Sequence, residues 1–361
     1  MSAHPQDRPQ DHPQAAPQHA AVAAGQDATG PEHDQWHPVL ALEHADGDGP
    51  YPVRLLERDL VLWRNADGWH AWDDRCPHRG AAFTLGRVQD GLLRCGYHGW
   101  RFESSGRCTR YPAHPGLVPA PRACAVTHAV REAYGLLWVR LARAGDGAAP
   151  PPALPPFPES GAAGCRQVIA GPYDVATSAP RLVENFLDMA HFGYVHDGYL
   201  GDPEHTEVPP YEVEASGDPR APDALRTIGC RAWQPRSHAS AEGGAMVEYE
   251  YRVVAPYTAV LTKVPDLGDD HRAAIALFIC PREPEASRVW FVMSLVSEDD
   301  DASLRAFQDT IFLQDQPIVE SQRPRRLPLA TGVEVPQPAD RMASAYRRYL
   351  AAHGVRFGTL P

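Results

Sequence analysis

Four residues able to bind metal stand in two short segments, Cys76-Pro77-His78-Arg79-Gly80 and Cys95-Gly96-Tyr97-His98-Gly99-Trp100. The pattern is C-x-H, 16 intervening residues, then C-x2-H, so each segment offers one thiolate and one imidazole. A [2Fe–2S] cluster in which two histidines replace two cysteines on one iron needs this two-plus-two set. The replacement raises the potential well above that of an all-cysteine cluster. Proline and glycine beside the ligands let each segment bend as a loop tip. Zinc is the competing occupant, since it also accepts two thiolates and two imidazoles. Zinc motifs usually pair like ligands at close spacing, whereas each pair here is mixed.

A second set lies on Glu184-Asn185-Phe186-Leu187-Asp188-Met189-Ala190-His191-Phe192-Gly193-Tyr194-Val195-His196. Alone, either His191 or His196 is an ordinary histidine on a half-buried helical face. Five residues apart, they would sit ~140° apart on an ideal helix, which is awkward for sharing one metal. Gly193 between them offers a place where the helix could widen or break and bring both imidazoles to one point. A carboxylate would complete the facial triad that holds non-haem Fe(II) with positions open for oxygen. A helix expected after Ser303 has the stripe Leu304, Phe307, Ile311, Asp315, Ile318, which puts Asp315 where a hydrophobe belongs. A carboxylate buried there is costly unless paired or metal-bound. Pro317 should kink that helix. Asp309 and Glu320 are rival ligands, less squarely on the stripe.

The elements that must position these residues fall into two units. With 361 residues and 43% apolar content the chain can bury two cores. Residues 1–34 are rich in Pro, Gln, Ala and His (His4, His12, His19, His33), lack a leader-like apolar core and contain nothing expected to pack, so they read as a disordered tail. Residues 35–143 show short apolar runs at 51–56, 60–63, 69–72, 91–94 and 134–141 between turns, the signature of a small all-β domain. Residues 144–164 read as a Pro-rich linker. Residues 165–361 mix strands near 245–254, 273–280 and 289–296 with three helices, an α+β pattern with an antiparallel sheet. The first helix follows Thr177 and Ser178 and carries Leu182, Phe186 and Met189 on one stripe; the last runs from about Asp340 to Gly354.

Composition excludes several functions. The 34 basic and 46 acidic side chains leave a net charge of −12, which argues against nucleic acid or an anionic membrane as partner. No apolar run approaches a membrane span, so a soluble, cytoplasmic protein is expected. Seven cysteines suit a reducing compartment; Cys108, Cys124, Cys165, Cys230 and Cys280 are expected to be plain thiols. No GxGxxG or Walker loop offers the chain its own nicotinamide or flavin site.

From about Trp36 to the last helix the chain resembles the oxygenase (α) components of Rieske non-haem iron oxygenases, through C-x-H-x16-C-x2-H and D-x2-H-x4-H preceded by Asn185. The run Gln314-Asp315-Gln316-Pro317-Ile318-Val319-Glu320-Ser321-Gln322 is most similar to the shorter mononuclear-oxygenase branch that includes vanillate and dicamba O-demethylases. The resemblance implies a helix-grip (START-like) catalytic domain, with His191, His196 and Asp315 on the catalytic iron. It also implies a head-to-tail homotrimer, in which Asp188 bridges His98 of one chain to His191 of the next. Asp188 would orient a metal-bound imidazole, and Asn185 either contacts the site or makes a structural hydrogen bond. The implied chemistry draws electrons from NAD(P)H through a separate ferredoxin or flavin reductase, which Arg75, Arg79, Arg87, Arg94 and Arg101 could dock. With O2 it would hydroxylate or demethylate a small aromatic substrate. Tyr249, Tyr251, Phe278 and Trp290 are candidates for lining its cavity, with alternation alone silent on which face they take. The alternatives are a ring-dihydroxylating dioxygenase, an electron carrier that keeps only the cluster, and a zinc-stabilised module.

Overall fold

A computed structural model describes residues 30–141, 152–235, 244–264 and 273–361. Residues 1–29 of the expected tail, and residues 144–151 of the expected linker, lie outside the described residues. Pro31–Asp34 correct that tail: they form a 3-10 turn in which Glu32 is buried, and its carboxylate accepts the Phe357 N–H at 3.1 Å. That partner lies at the far end of the chain, where no local pattern could reveal it.

Two antiparallel sheets build the first unit. The larger has six strands in the order His37–Ala41, Leu136–Arg140, Thr127–Ala133, Gly68–Asp73, Arg58–Asn65, Tyr51–Leu55. The smaller has four short strands, Arg87–Gln89, Leu92–Arg94, Arg101–Phe102 and Cys108–Arg110. Strand alternation gives the larger sheet two dry faces. Val61, Trp63 and Trp72 point toward the smaller sheet, into a core with Phe83, Leu93, Phe102, Cys76 and Cys95. Leu60, Leu62, Trp69 and Ala71 point the other way.

That other way lies the second unit. Its eight strands run Arg166–Val175, Ala286–Leu295, Ala273–Glu283, Thr258–Val264, Ala245–Ala255, Leu225–Ile228, Glu212–Ala215, with Cys230–Gln234 also paired to Ala245–Ala255. Helices α1 (Ala179–Phe186), α2 (Phe192–Val195), α3 (Asp301–Ser321) and α4 (Arg341–Ala352) complete it. Leu277, Ile279, Val289, Phe291 and Met293 share a core with Leu182, Val183, Phe312 and Tyr346 of the helices. Ala276, Phe278, Trp290 and Val292 face the six-stranded sheet instead. A sheet buried on both faces explains why residues 273–280 read as an unbroken apolar run. It also corrects the cavity candidates: Tyr249 and Tyr251 lie on the helix side, whereas Phe278 packs against Trp138, Tyr134 and Phe157 between the two units, and Trp290 shares that core.

Two helix expectations also change. The first helix ends at Phe186, so Met189 joins its core from the following turn; Ser178 occupies the N-cap without a side-chain cap bond. α3 starts at Asp301, two residues before Ser303, because the Asp300 carboxylate accepts the Ser303 N–H at 2.8 Å. Its inner face is Gln308, Ile311, Phe312, Asp315 and Val319, while Phe307 is 50% and Ile318 47% exposed. The stripe is turned from the expected one, yet Asp315 stays buried. The helix runs on through Pro317 to Ser321.

Candidate metal centres

The first four candidate ligands sit on twin loops. The Cys76 N–H donates to the Ala81 carbonyl at 2.8 Å and the Gly80 N–H to the Cys76 carbonyl at 2.8 Å. Cys95 repeats this with Trp100 at 2.9 Å and with Gly99 at 3.0 Å. Gly80 and Gly99 have φ of +72° and +69°, a conformation that favours glycine, which explains a glycine four residues after each cysteine. Each loop thus turns back on itself and aims its ligands at the other.

Like faces like across the loops. Cys76 and Cys95, each 2% exposed, share one small core, and burial pushes the Cys76 thiol up to about 12, with the neighbouring Cys95 adding to the rise. The His78 and His98 rings lie 4.4 Å apart, with Trp100 stacked on His78 at 4.2 Å. His78 Nδ1 is buried without a hydrogen-bond partner. Buried thiols and an unpartnered imidazole nitrogen are costly groups unless a metal accepts them. A buried thiol pair and a facing imidazole pair supply the two-plus-two donor set that a cluster with two irons needs.

The second group of donors is His191, His196 and Asp315. His191 Nε2 and His196 Nε2 are 3.2 Å apart, and Asp315 Oδ1 is 3.4 Å from the first and 3.3 Å from the second. Donors about 2.1 Å from a metal on one octahedral face stand about 3 Å from each other, so the triangle has the right size. The far nitrogens are held as well: His191 Nδ1 meets Asp188 Oδ2 at 3.1 Å and His196 Nδ1 meets Gln314 Oε1 at 2.8 Å. An acceptor at Nδ1 makes it the protonated nitrogen and leaves the Nε2 lone pair for a metal. Asn185 Nδ2 donates to Asp315 Oδ1 at 3.3 Å. His196 is 1% exposed, and Asp315 is buried beside it.

The helix break that joins the histidines lies earlier than Gly193. α1 stops at Phe186, the Asp188 carboxylate accepts the Ala190 N–H at 2.7 Å, and α2 starts at Phe192 with His191 and His196 at its two ends. Such a side-chain turn competes with helix continuation. Gly193 serves packing instead, since a Cβ there would lie 2.8 Å from the Asp202 carbonyl oxygen. The rival ligands are engaged elsewhere: Asp309 takes the Tyr173 hydroxyl, and Glu320 accepts the Ala176 N–H at 2.9 Å. Gln314 is the contact the sequence left without a role; the signal for it is that a metal-bound imidazole needs a second-nitrogen acceptor, here one residue from Asp315. Cys108, Cys230 and Cys280 are buried thiols, Cys124 is exposed and Cys165 intermediate. Arg75, Arg79 and Arg87 are exposed near the loops, whereas Arg94 and Arg101 are half-buried.

A cluster-bearing β domain packed on a sheet-and-helix domain with a two-histidine, one-carboxylate site is the layout of an iron-dependent oxygenase supplied with electrons by its own cluster. Comparison with known proteins agrees. Residues 35–122 match the Rieske [2Fe-2S] domain, and residues 175–355 match the vanillate O-demethylase oxygenase C-terminal domain. The methylxanthine N1-demethylase NdmA of Pseudomonas putida is 31% identical over 87% of this chain and 87% of its own length. A probable methylxanthine N7-demethylase, NdmC, from a Pseudomonas strain is 40% identical over 64% of this chain and 79% of its own. The solved structure of Pseudomonas putida NdmA superposes with a TM-score of 0.74 at 28% identity, covering 89% of this chain and 90% of that one. The chain belongs to the Rieske non-haem iron oxygenases, in their demethylase branch. No helix among the described residues is long and apolar enough to cross a membrane.

Proposed function

We propose that this oxygenase removes an N- or O-linked methyl group from a small aromatic compound, using residues 35–143 as the cluster domain and 165–361 as the catalytic domain joined by a 144–164 linker. Cys76 and Cys95 would hold one cluster iron, His78 and His98 the other, and His191, His196 and Asp315 a mononuclear Fe(II). The observation that carries this is the donor triangle of 3.2, 3.3 and 3.4 Å with both Nδ1 atoms held. When bound, the two centres supply the redox chemistry: O2 and two electrons from NAD(P)H, through a separate reductase, turn a methyl C–H into C–OH. The second oxygen atom leaves as water with two protons, and loss of the hydroxylated carbon as formaldehyde then leaves the demethylated product.

The protein's own part is positional. Asp315 offsets one positive charge of the metal, Asn185 fixes its oxygen, and Asp188 and Gln314 fix the imidazole tautomers. Phe186, Phe192, Tyr249, Tyr251, Phe291 and Phe312 surround this side of the sheet with aromatic faces that exclude water.

A homotrimer suits the layering. From the helices to the four-stranded sheet the chain passes through three packing layers of about 10 Å each, on the order of 30 Å in all. Electron tunnelling decays steeply over such a gap. Transfer from His98 of one copy through Asp188 to His191 of the next shortens it, and the Asp188 side chain is 31% exposed and able to reach a neighbour. Arg75, Arg79 and Arg87 supply a basic face for an acidic ferredoxin or reductase. The test is reconstitution with a reductase, NADH and a panel of N- and O-methyl aromatics. Formaldehyde formed one for one with O2 consumed is expected. Ring diols without formaldehyde would favour the dioxygenase alternative, and a cluster that cycles without O2 uptake the electron carrier.

A further inference from the structure

The Tyr173 hydroxyl donates to Asp309 Oδ1, joining strand Arg166–Val175 to α3 at the half-buried rim of the catalytic core. Burial and the Asp309 carboxylate both raise that hydroxyl above its ordinary range, so it stays a neutral phenol. The Tyr173 ring lies 4.5 Å from the Phe312 ring, centroid to centroid. Phe312 is 2% exposed and stands on the inner face of α3 with Asp315, about one turn before it. Asp309 itself is about 9 Å along the helix from Asp315, at a rise of about 1.5 Å per residue. One aromatic ring and one helical turn thus separate the phenol from a metal held by His191, His196 and Asp315.

One-electron oxidation turns a phenol hydroxyl into a strong acid, so the step is easy only where a base stands ready for the proton. Other tyrosines lack that base. Among the described residues, the hydroxyls of Tyr134, Tyr211, Tyr257 and Tyr346 donate to the backbone carbonyls of Pro155, Ala339, Phe357 and Pro256, which accept a hydrogen bond but do not take a proton. The Tyr249 hydroxyl is buried with no partner. Tyr173 alone in this set faces a carboxylate. The core around the metal site also needs protection. Phe186, Met189, Phe192 and Phe291 crowd it, and an oxidising equivalent that meets no methyl group reaches these side chains instead.

We propose that Tyr173 and Asp309 form a redox outlet, which discharges the catalytic metal site when an oxidant is activated there with no substrate methyl group in reach. The inference rests on the iron assignment above. The oxidant is O2 or a peroxide. Tyr173 gives one electron to the oxidised metal site and its hydroxyl proton to Asp309 Oδ1, leaving a neutral tyrosyl radical beside a carboxylic acid. One electron from an external donor such as ascorbate, with the same proton returned by Asp309, restores the pair.

The test is freeze-quench EPR of the iron-loaded protein mixed with hydrogen peroxide and no substrate, followed by peptide mass spectrometry. Wild type is expected to give a transient signal with tyrosyl hyperfine structure, which ascorbate removes. Tyr173→Phe should lose that signal and collect more oxygen on Met189, Phe291 and Phe312. Asp309→Asn keeps an acceptor for the hydroxyl but no base, and should also lose the signal, whereas Asp309→Glu should restore it. Cluster absorption and iron content equal to wild type show that these variants are folded. A signal undiminished in Tyr173→Phe, in Asp309→Asn or in Asp315→Ala overturns the outlet. So does a wild type that consumes peroxide faster than Asp315→Ala without forming a radical, and that result leaves the iron assignment standing. Peroxide consumption no faster in wild type than in Asp315→Ala would discard the assignment itself.

Discussion

The two candidate metal centres are built in opposite ways. The cluster site is local: its ligands sit on two short loops close in sequence, and backbone hydrogen bonds within each loop set the geometry. The iron site is assembled at long range, from the break between α1 and α2 and from α3, with His196 held by a glutamine 118 residues away. A loop tip keeps its shape through turn chemistry, whereas a site between helices keeps it only while the helices stay packed. The cluster half should therefore survive damage to the catalytic core, and the iron half should answer to residues that touch no metal.

The largest effect expected is from Cys76→Ser, which removes one of the two cluster thiolates. The visible cluster absorption should vanish and with it all turnover, while a mononuclear iron remains; loss of both irons' signals would show that the sites are not independent. Phe278→Ala acts between the two units and should lower stability by about 3–5 kcal/mol, as large-to-small core changes do. Chemical denaturation followed by cluster absorption and by tryptophan fluorescence should then shift together, because the cavity opens in the core both units share. Gln314→Leu deprives the His196 Nδ1–H of its acceptor and should weaken iron binding about 10- to 100-fold with the cluster spectrum unchanged. Asp188→Asn should keep most of the iron, with affinity down by no more than about tenfold, yet slow oxidation of the reduced cluster by O2. If that rate is unaffected, the proposed route through a neighbouring copy fails.

Legibility in the sequence follows the same division. C-x-H and C-x2-H are visible because turn chemistry is local. Asp315 is visible because a carboxylate in an apolar helix demands a partner, even though the stripe around it was turned. The sequence places Phe307 and Ile318 inward, but α3 is apolar on more than one side, and hydrophobicity alone does not choose between apolar faces. Phe278 and Trp290 mislead for a related reason: alternation separates the faces of a strand, but when both faces are dry it does not name the one with the cavity. Glu32 and Gln314 were hidden because their roles depend on partners far along the chain, Phe357 and His196. The turn at Asp188 lay within reach, since an Asp two residues before a free backbone N–H is a known competitor of helix.

The most direct test of the paired-site account is metal analysis with EPR on anaerobically purified wild type and Asp315→Ala. About three irons per chain and a rhombic reduced-cluster signal in wild type are expected. The variant should hold about two irons with that signal intact, since only the mononuclear ligand is lost. Two irons and one spectrum shared by wild type and variant would contradict the triad of His191, His196 and Asp315.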